Sequence, residues 1–481
     1  MRSKNMALAL LATAQFVVVL DASIVNVALP SIGRDLDFAQ DDLSWVVNAY
    51  TLFFGGFLLL GGRLADLLGR RRIFIWGMWL FAIASLAGGL AQSDIWLVIA
   101  RAVQGLGAAL ISPAALAILT TTFAEGAERN KALAVWGAVA GSGGAVGVLA
   151  GGMLTEWAGW EWVLFVNTPI GIAAALLAPR IVDDSRDESN PSWDIAGAVT
   201  VTAGLALLVY TLVDANDAGW GSAQTIGLGA LSLVLLASFV VIELRRRYPL
   251  IPFSIFKLRT LRGANVIGLL LGMSLFAMFF FISLYMQQVL GYDPLKAGLA
   301  YLPLAGLIII SAGGASQLVA RFGFKPVLIT GLLFTAAGLF WFSQVSAPGG
   351  SYVGDVLFPE MLAAVGLGLS FVPVTIGSVT GTKPSEAGLA SGLINTSQQV
   401  GGALGLAILS TIATNRTQDV FASGVSDPKI AYTEGFQDAF LAGGVIALAG
   451  ALLALVLISS ADSRRMAEEA RDGASPAVIP A

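Results

Sequence analysis

Apolar residues fill this chain in blocks of about 20, the length an α-helix needs to cross a bilayer. Short clusters of Gly, Pro, Arg and Asp separate them. The blocks lie near 6–29, 44–62, 73–91, 95–122, 133–155, 162–180, 194–213, 224–243, 264–290, 298–320, 326–344, 353–376, 390–413 and 437–460. The pattern predicts an all-α integral membrane protein with fourteen transmembrane segments. The longest polar stretch inside the chain is "DDSRDESNPSWD", Asp183 to Asp194. The tail after Ser459 is polar and reads as disordered.

The blocks repeat. The fourth holds "GLGAALISP" from Gly105 and the twelfth "GLGLSFVP" from Gly366. The fifth holds "WGAVAGSGGAVG" and the thirteenth "SGLINTSQQVGG". "GGRLADLLGRRRI" after the second block is echoed weakly by "GGASQLVARFGFKPV" after the tenth. A shift of eight segments fits a six-helix unit repeated in parallel with two helices between the copies, a plan used by one class of transporters. The expected organisation is an N-terminal bundle over 1–180, two linker helices with their loops over 181–262, a C-terminal bundle over 263–460 and a tail over 461–481.

Composition narrows the chemistry. The 481 residues are 56% hydrophobic and 12% charged, with no Cys and no His. Disulfides, thiolate chemistry and the usual zinc and haem ligands are excluded, so no metal site or cofactor is expected. Proton transfer would have to use carboxylates. The net charge of −4 gives no sign of a nucleic-acid partner. The first apolar block is too long for a signal peptide, contains Asp21 and ends without a small-residue cleavage site, so it reads as a retained helix. Lys and Arg fix the orientation. With the N-terminus in the cytoplasm, 22 of the 27 fall on the cytoplasmic side, 4 outside and Arg101 within a segment. Both termini are therefore expected in the cytoplasm.

Three stretches carry candidate chemistry. "GRLADLLGRRRI" (Gly62 to Ile73) puts Asp66 among arginines between Gly62 and Gly69. Glycines allow close helix ends, and the acid can accept from an arginine or from a helix N-terminus. In the fifth segment Gly137, Gly141, Gly144, Gly147 and Gly151, with Gly152, recur at three- and four-residue steps, a close-packing seam. Static packing and a sliding contact between halves are both open readings of that seam. "VLDASIVNVALP" (Val19 to Pro30) places Asp21 in lipid-length apolar sequence.

At 1.5 Å per residue, Asp21 lies ~22 Å up the first segment from inside, and Arg101 lies ~9 Å below the outer face. Both fall in the outer third of a core about 30 Å thick. A buried charge in a membrane needs a partner or a cavity, so the two are candidates for a pair, direct or through water, and for proton coupling; Asp21 reads as a proton-titrating carboxylate facing the central cavity or as a helix-end carboxylate in the headgroups. Glu360 in the twelfth segment has similar depth and reads as a cavity acid or as a solvated residue near the outer rim; aligned on the GLG glycines it matches Ile99, two residues from Arg101. Asn26, Tyr50, Gln104, Asn395 and Gln398 are candidates for a substrate cavity.

These motifs resemble the major facilitator superfamily. Gly62, Leu64, Ala65, Asp66, Gly69, Arg70 and Arg71 match its cytoplasmic loop signature G-x-L-A-D-x-x-G-R-[RK]. "RAVQGLGAA" (Arg101 to Ala109) is similar to its fourth-helix motif and "GAVAGSGGAVGVLAGG" (Gly137 to Gly152) to its antiporter motif, with "GSGGA" where Gly-Pro is usual. "LDASIVNVALP" and "FVNTPIG" (Phe165 to Gly171) resemble the fourteen-helix drug:proton antiporter branch. The resemblance implies the major facilitator fold: two six-helix bundles plus two extra central helices. It implies a proton-coupled exporter of amphipathic drugs or other small organic compounds, working by alternating access, with Asp21 and Arg101 as proton-coupling residues and Asp66, Arg70 and Arg71 at the inner gate; Glu360 joins the proton-coupling candidates by its own depth, not by the resemblance. Its partners would be the substrate, protons and the lipid bilayer, and the chain would act as a monomer in a bacterial plasma membrane. An exporter dedicated to one metabolite or antibiotic is the alternative. A non-transporting sensor or a membrane enzyme has less support, since no nucleophile or acid/base set gathers at either face.

Overall fold

The computed structural model describes residues 4–39, 42–123, 127–185, 194–246, 249, 251, 253–347, 349–382 and 387–471. Helices dominate, and no strand occurs among the described residues. In chain order they are α1 (Lys4–Asp35), α2 (Trp45–Leu68), α3 (Arg70–Gly89), α4 (Asp94–Thr122), α5 (Ala127–Ala158), α6 (Trp162–Phe165), α7 (Asn167–Ile181), α8 (Ile195–Ala218) and α9 (Ala223–Arg245). Then come α10 (Arg259–Leu284), α11 (Pro294–Ala300), α12 (Leu302–Phe322), α13 (Phe324–Phe342), α14 (Phe358–Val379), α15 (Ala387–Ala422), α16 (Pro428–Leu457) and α17 (Ser460–Arg471). Among the described residues, eleven helical stretches are long and apolar enough to span a membrane, counting α6–α7 and α11–α12 as one each. The three other predicted segments are helical as α5, α8 and α15, so the expected fourteen is consistent with what is seen.

Two compact units divide the chain, 1–253 and 254–481. In the first, α1 packs on α5, α4 on both α2 and α3, and α3 on α7. In the second, α10 packs on α15, α14 on both α12 and α13, and α13 on α16. The pairing scheme is the same, shifted by eight predicted segments. Helices α8 and α9 pair with each other, and α8 leans on α2, where the Thr202 hydroxyl donates to Gly56 O at 3.0 Å. They have no equivalent in the second unit and belong with the first.

The repetition holds at single-residue level. Gly69 and Gly323 stand alone between two helices, with φ of 107° and 83°. That conformation suits glycine and reverses the chain in one residue. Their amides donate to Ala65 O and Val319 O, closing the preceding helices. Further on, Gly77 packs against Gly107 O, and Gly331 against Gly366 O. Gly107 faces the amide of Phe81, and Gly366 that of Thr335. Gly107 and Gly366 are therefore equivalent, 259 residues apart, and by this register Glu360 occupies the position of Arg101. The alignment on the two GLG motifs is two residues out. Gly105 packs on α2, whereas Gly366 packs on α13, so like residues in the two motifs do not face like neighbours.

One expectation fails at the C-terminus. Residues 461–471 are not a disordered tail but most of α17, which packs on α12 and α13. Ser459 Oγ accepts from Asp462 N at 3.2 Å, as an N-terminal cap does. "RRMAEEAR" is made of good helix formers, and Ala467 is buried. Residues 472–481 lie outside the described residues.

Candidate functional site

In the first unit, α1 carries Asp21 into the interior and α4 brings Arg101 to meet it. Gln104 lies one turn further along α4, on the same face. Arg101 Nη1 donates to Asp21 Oδ2 at 2.6 Å and to Gln104 Oε1 at 2.7 Å. Gln104 Nε2 and Asn167 Nδ2 each donate to Asp21 Oδ1 at 2.7 Å. Arg101 Nε donates to Val46 O at 3.0 Å, and the guanidinium lies 4.4 Å from the centre of the Tyr50 ring. Tyr50 in turn donates to Val18 O at 3.0 Å. Ser85 Oγ accepts from Gln104 and Asn167 at 3.0 and 3.2 Å and donates to Leu164 O at 2.8 Å.

The pair is sealed. Asp21 is 0% and Arg101 1% exposed. Removing two charges from water is expensive, and the pair holds only because further hydrogen bonds satisfy both partners. Here three donors serve the carboxylate, and a carbonyl, an amide oxygen and an aromatic face serve the guanidinium. The matched depth of Asp21 and Arg101 becomes direct contact. Asp21 does not face open water, as a cavity acid would, but is enclosed by α1, α3, α4 and α7 of its own unit. Tyr50 and Gln104, expected as cavity walls, are buried parts of this network. Ser85 and Asn167 are absent from the candidate residues. Asn167 sits in the quoted "FVNTPIG", where an amide in apolar sequence was the available signal; Ser85 has none.

Glu360 in the second unit is also 0% exposed, but its surroundings differ. Oε1 has no hydrogen-bond partner, and Oε2 lies 3.4 Å from the Tyr352 hydroxyl. It is not a solvated residue of the outer rim.

The remaining candidates divide. The Asn26 amide donates to Ala22 O and Ser23 O on its own helix, each at 3.3 Å. On α15, Asn395 is exposed and Gln398 half-buried. Gln398 packs against Gly268 and Gly272 of α10. In α5, the seam against α1 runs through Gly143, Gly147 and Gly151, which face Val19, Leu20 O with Ser23, and Ile24 O. Gly144 turns away, with nothing within 4 Å of a Cβ placed there. Gly152 is buried. The packing of Gly137 and Gly141 lies outside the described residues.

At the cytoplasmic signature, Gly62 makes ordinary contact with Pro113, while the close approach belongs to Gly61, where a Cβ would overlap the Ala109 carbonyl. The Asp66 side chain lies outside the described residues. Arg71 Nη1 donates to Val182 O at 3.1 Å, the Arg70 amide to Ser185 O at 3.0 Å, and Arg72 lies 4.0 Å from Asp184. This loop thus grips the chain just beyond α7 in its own unit. Lys325, two residues after Gly323 as Arg71 is after Gly69, does the same beyond α16. Its Nζ donates to Leu455 O and Ile458 O at 2.8 Å and to Ser460 Oγ at 2.9 Å.

Among known proteins, the cephamycin export protein CmcT of Amycolatopsis lactamdurans is 42% identical over 461 residues, covering 95% of this chain and 93% of that protein. The puromycin resistance protein pur8 of Streptomyces alboniger is 38% identical over 98% of this chain and 94% of its own length. Among solved structures, a bacterial homologue of the human lysosomal transporter Spinster, inward-facing and occupied, aligns with a TM-score of 0.69. It covers 95% of this chain and 98% of its own at 15% identity, a likeness of fold alone. Residues 11–406 match the family model of the Major Facilitator Superfamily, and with its duplicated helix pairing and relatives of this identity over nearly the whole length, the chain belongs to that family.

Proposed function

We propose that this protein is a proton-coupled efflux transporter of amphipathic small organic compounds. It works by alternating access, as a monomer in a bacterial plasma membrane with both termini in the cytoplasm. The observation that carries the reading is the sealed Asp21–Arg101 pair, set in a family whose similar members are named for antibiotic export and resistance. A proton on Asp21 removes the negative partner of Arg101. Arginine does not lose its own charge, and it keeps Val46 O and Gln104 Oε1 while losing its strongest acceptor. The stable response is to repack α1 against α4. Because α5 is seated on α1 through glycines, the α1–α5 pair shifts as one body. Each pH unit supplies about 1.4 kcal/mol per proton, and each 100 mV about 2.3 kcal/mol per net charge moved. A transporter, not an enzyme, is what this arrangement serves: its side chains hold and release charge and surround no reacting centre.

There are two candidate substrate ranges, because the relatives named for cephamycin and puromycin each carry a single compound class in their names. A dedicated exporter is therefore the second reading. Purified protein in liposomes, given an imposed pH gradient, decides both questions. Accumulation of a labelled cationic dye that collapses with the gradient supports proton-coupled export. Accumulation indifferent to ΔpH sinks it. Competition by many unrelated amphipathic compounds marks a broad exporter, and competition by one class marks a dedicated one.

A further inference from the structure

The first turns of the Tyr352–Val379 span treat two acids in opposite ways. The span opens with a wide, π-type turn over Tyr352–Leu357 before α14. Pro359 follows, and it cannot supply an amide hydrogen. Asp355, on this turn, accepts from the amides of Ser346 and Ser351 at 2.9 and 2.7 Å. Glu360, less than two turns further on, receives no backbone donor among the described residues, and its Oε1 has no partner at all.

The Tyr352 hydroxyl has one proton to give. It lies 2.7 Å from Ala300 O and 3.4 Å from Glu360 Oε2. The shorter contact takes the proton, so toward Glu360 this oxygen is an acceptor. Tyr301, the other ionisable side chain facing Glu360, gives its proton to Phe279 O at 2.7 Å. Among the described residues, no cation pairs with Glu360. The charged residues of α10, α12 and α13 are Arg259, Arg262, Arg321 and Lys325, all at the ends remote from Glu360, and Arg416 of α15, which also packs on α14, is paired with Glu434 and Asp438. Lys296 of α11 is exposed and sits over the Tyr292 ring, 3.7 Å from its centre. An ionised carboxylate accepts only, whereas a protonated one can donate. Among the described residues the pocket thus offers an acceptor to a carboxylic acid and neither donor nor counter-charge to a carboxylate, and an unpaired buried charge is strongly disfavoured.

We propose that Glu360 is a second proton-carrying site, holding its proton in this conformation by donating it to the Tyr352 hydroxyl. It stands where the first unit has Arg101. The two units therefore manage membrane charge differently: one pairs an acid with a base, and the other neutralises an acid with a proton. Glu360 gives up the proton when movement of α14 admits water or a cation. The use of that proton in the cycle rests on the reading of the chain as a proton-driven exporter; its presence does not.

Infrared difference spectroscopy on the purified full-length protein in lipid at neutral pH reads the proton directly. The wild type should show the carbonyl band of a protonated carboxylic acid. Glu360→Gln should lose it, and Asp21→Asn should keep it. Tyr352→Phe removes the acceptor, so it should shift the band upward without abolishing it, which covers the case in which Glu360→Gln fails to fold. A wild-type spectrum unchanged by both Glu360→Gln and Tyr352→Phe overturns the proposal. In liposomes, Glu360→Gln should lose at least tenfold in ΔpH-driven accumulation while downhill exchange persists; wild-type accumulation in this variant would remove Glu360 from the cycle. If the band behaves as expected but the wild type ignores ΔpH, the exporter reading fails and the protonated Glu360 stands.

Discussion

Neutralising Asp21 while leaving Arg101 in place strands a guanidinium in apolar surroundings with its best acceptor gone. Asp21→Asn keeps the shape and one acceptor oxygen, so the protein should insert and fold with a lowered melting temperature and no response to ΔpH. Arg101→Ala should be worse, about 3–5 kcal/mol, because it leaves the carboxylate buried and unpaired. Arg101→Lys keeps the charge but loses the fork that reaches Val46 O and Asp21 together, so it should recover only part of that stability. The double variant Asp21→Asn/Arg101→Gln removes both charges. It should regain thermal stability relative to Arg101→Ala without regaining coupled transport. Thermal unfolding in detergent beside liposome accumulation separates the two effects, and a stable double variant that still couples would show the pair to be structural only. Asp21 and Arg101 are legible in the sequence because charge is rare in apolar blocks and helix rise fixes depth. Ser85 is not legible, since a serine in a membrane helix satisfies itself on its own backbone as readily as it joins a network.

Helix α5 shows what spacing alone leaves undecided. Glycines at three- and four-residue steps define a seam, but they do not say which of two adjacent lines touches a neighbour. The line used is Gly143, Gly147 and Gly151. Gly147→Ala would drive a methyl into Leu20 O and the Ser23 hydroxyl, and should cost about 1–3 kcal/mol as overpacking does. Gly144→Ala meets open space and should leave stability unchanged or slightly raised, through better helix propensity. Melting curves of the two variants test this; equal losses would mean that α5 packs on α1 along a different line. The same limit explains the GLG misalignment between the fourth and twelfth blocks. A helix repeats its facing every three or four residues, so a two-residue slip turns a motif to the opposite side while the sequence still looks matched.

Both units draw their chain together at one edge. A single glycine joins two helices, and a cation two residues later, Arg71 or Lys325, takes the carbonyl just past the closing helix, Val182 or Ile458. In the second unit α17 thickens this fastening, with Ser463 Oγ accepting from the Lys325 amide at 3.0 Å and Thr260 donating to Asp462 at 2.5 Å. Lys325→Met keeps the stem and removes the donor, leaving the Leu455 and Ile458 carbonyls without it; it should lower the melting temperature and speed proteolysis after Leu457. Arg71→Met should do likewise near Val182. Resistance equal to wild type in both variants would mean that these contacts do not fasten the chain. Each fastening joins residues far apart in sequence, by 111 positions in the first unit and 133 in the second. On a ribosome adding about 5–20 residues per second, each cation therefore waits roughly 5–25 s for its acceptor to be made. Every helix between the two must be inserted before the contact can form. A chain that stalls before its closing helix is made therefore leaves Arg71 or Lys325 without the backbone carbonyl it holds in the finished fold.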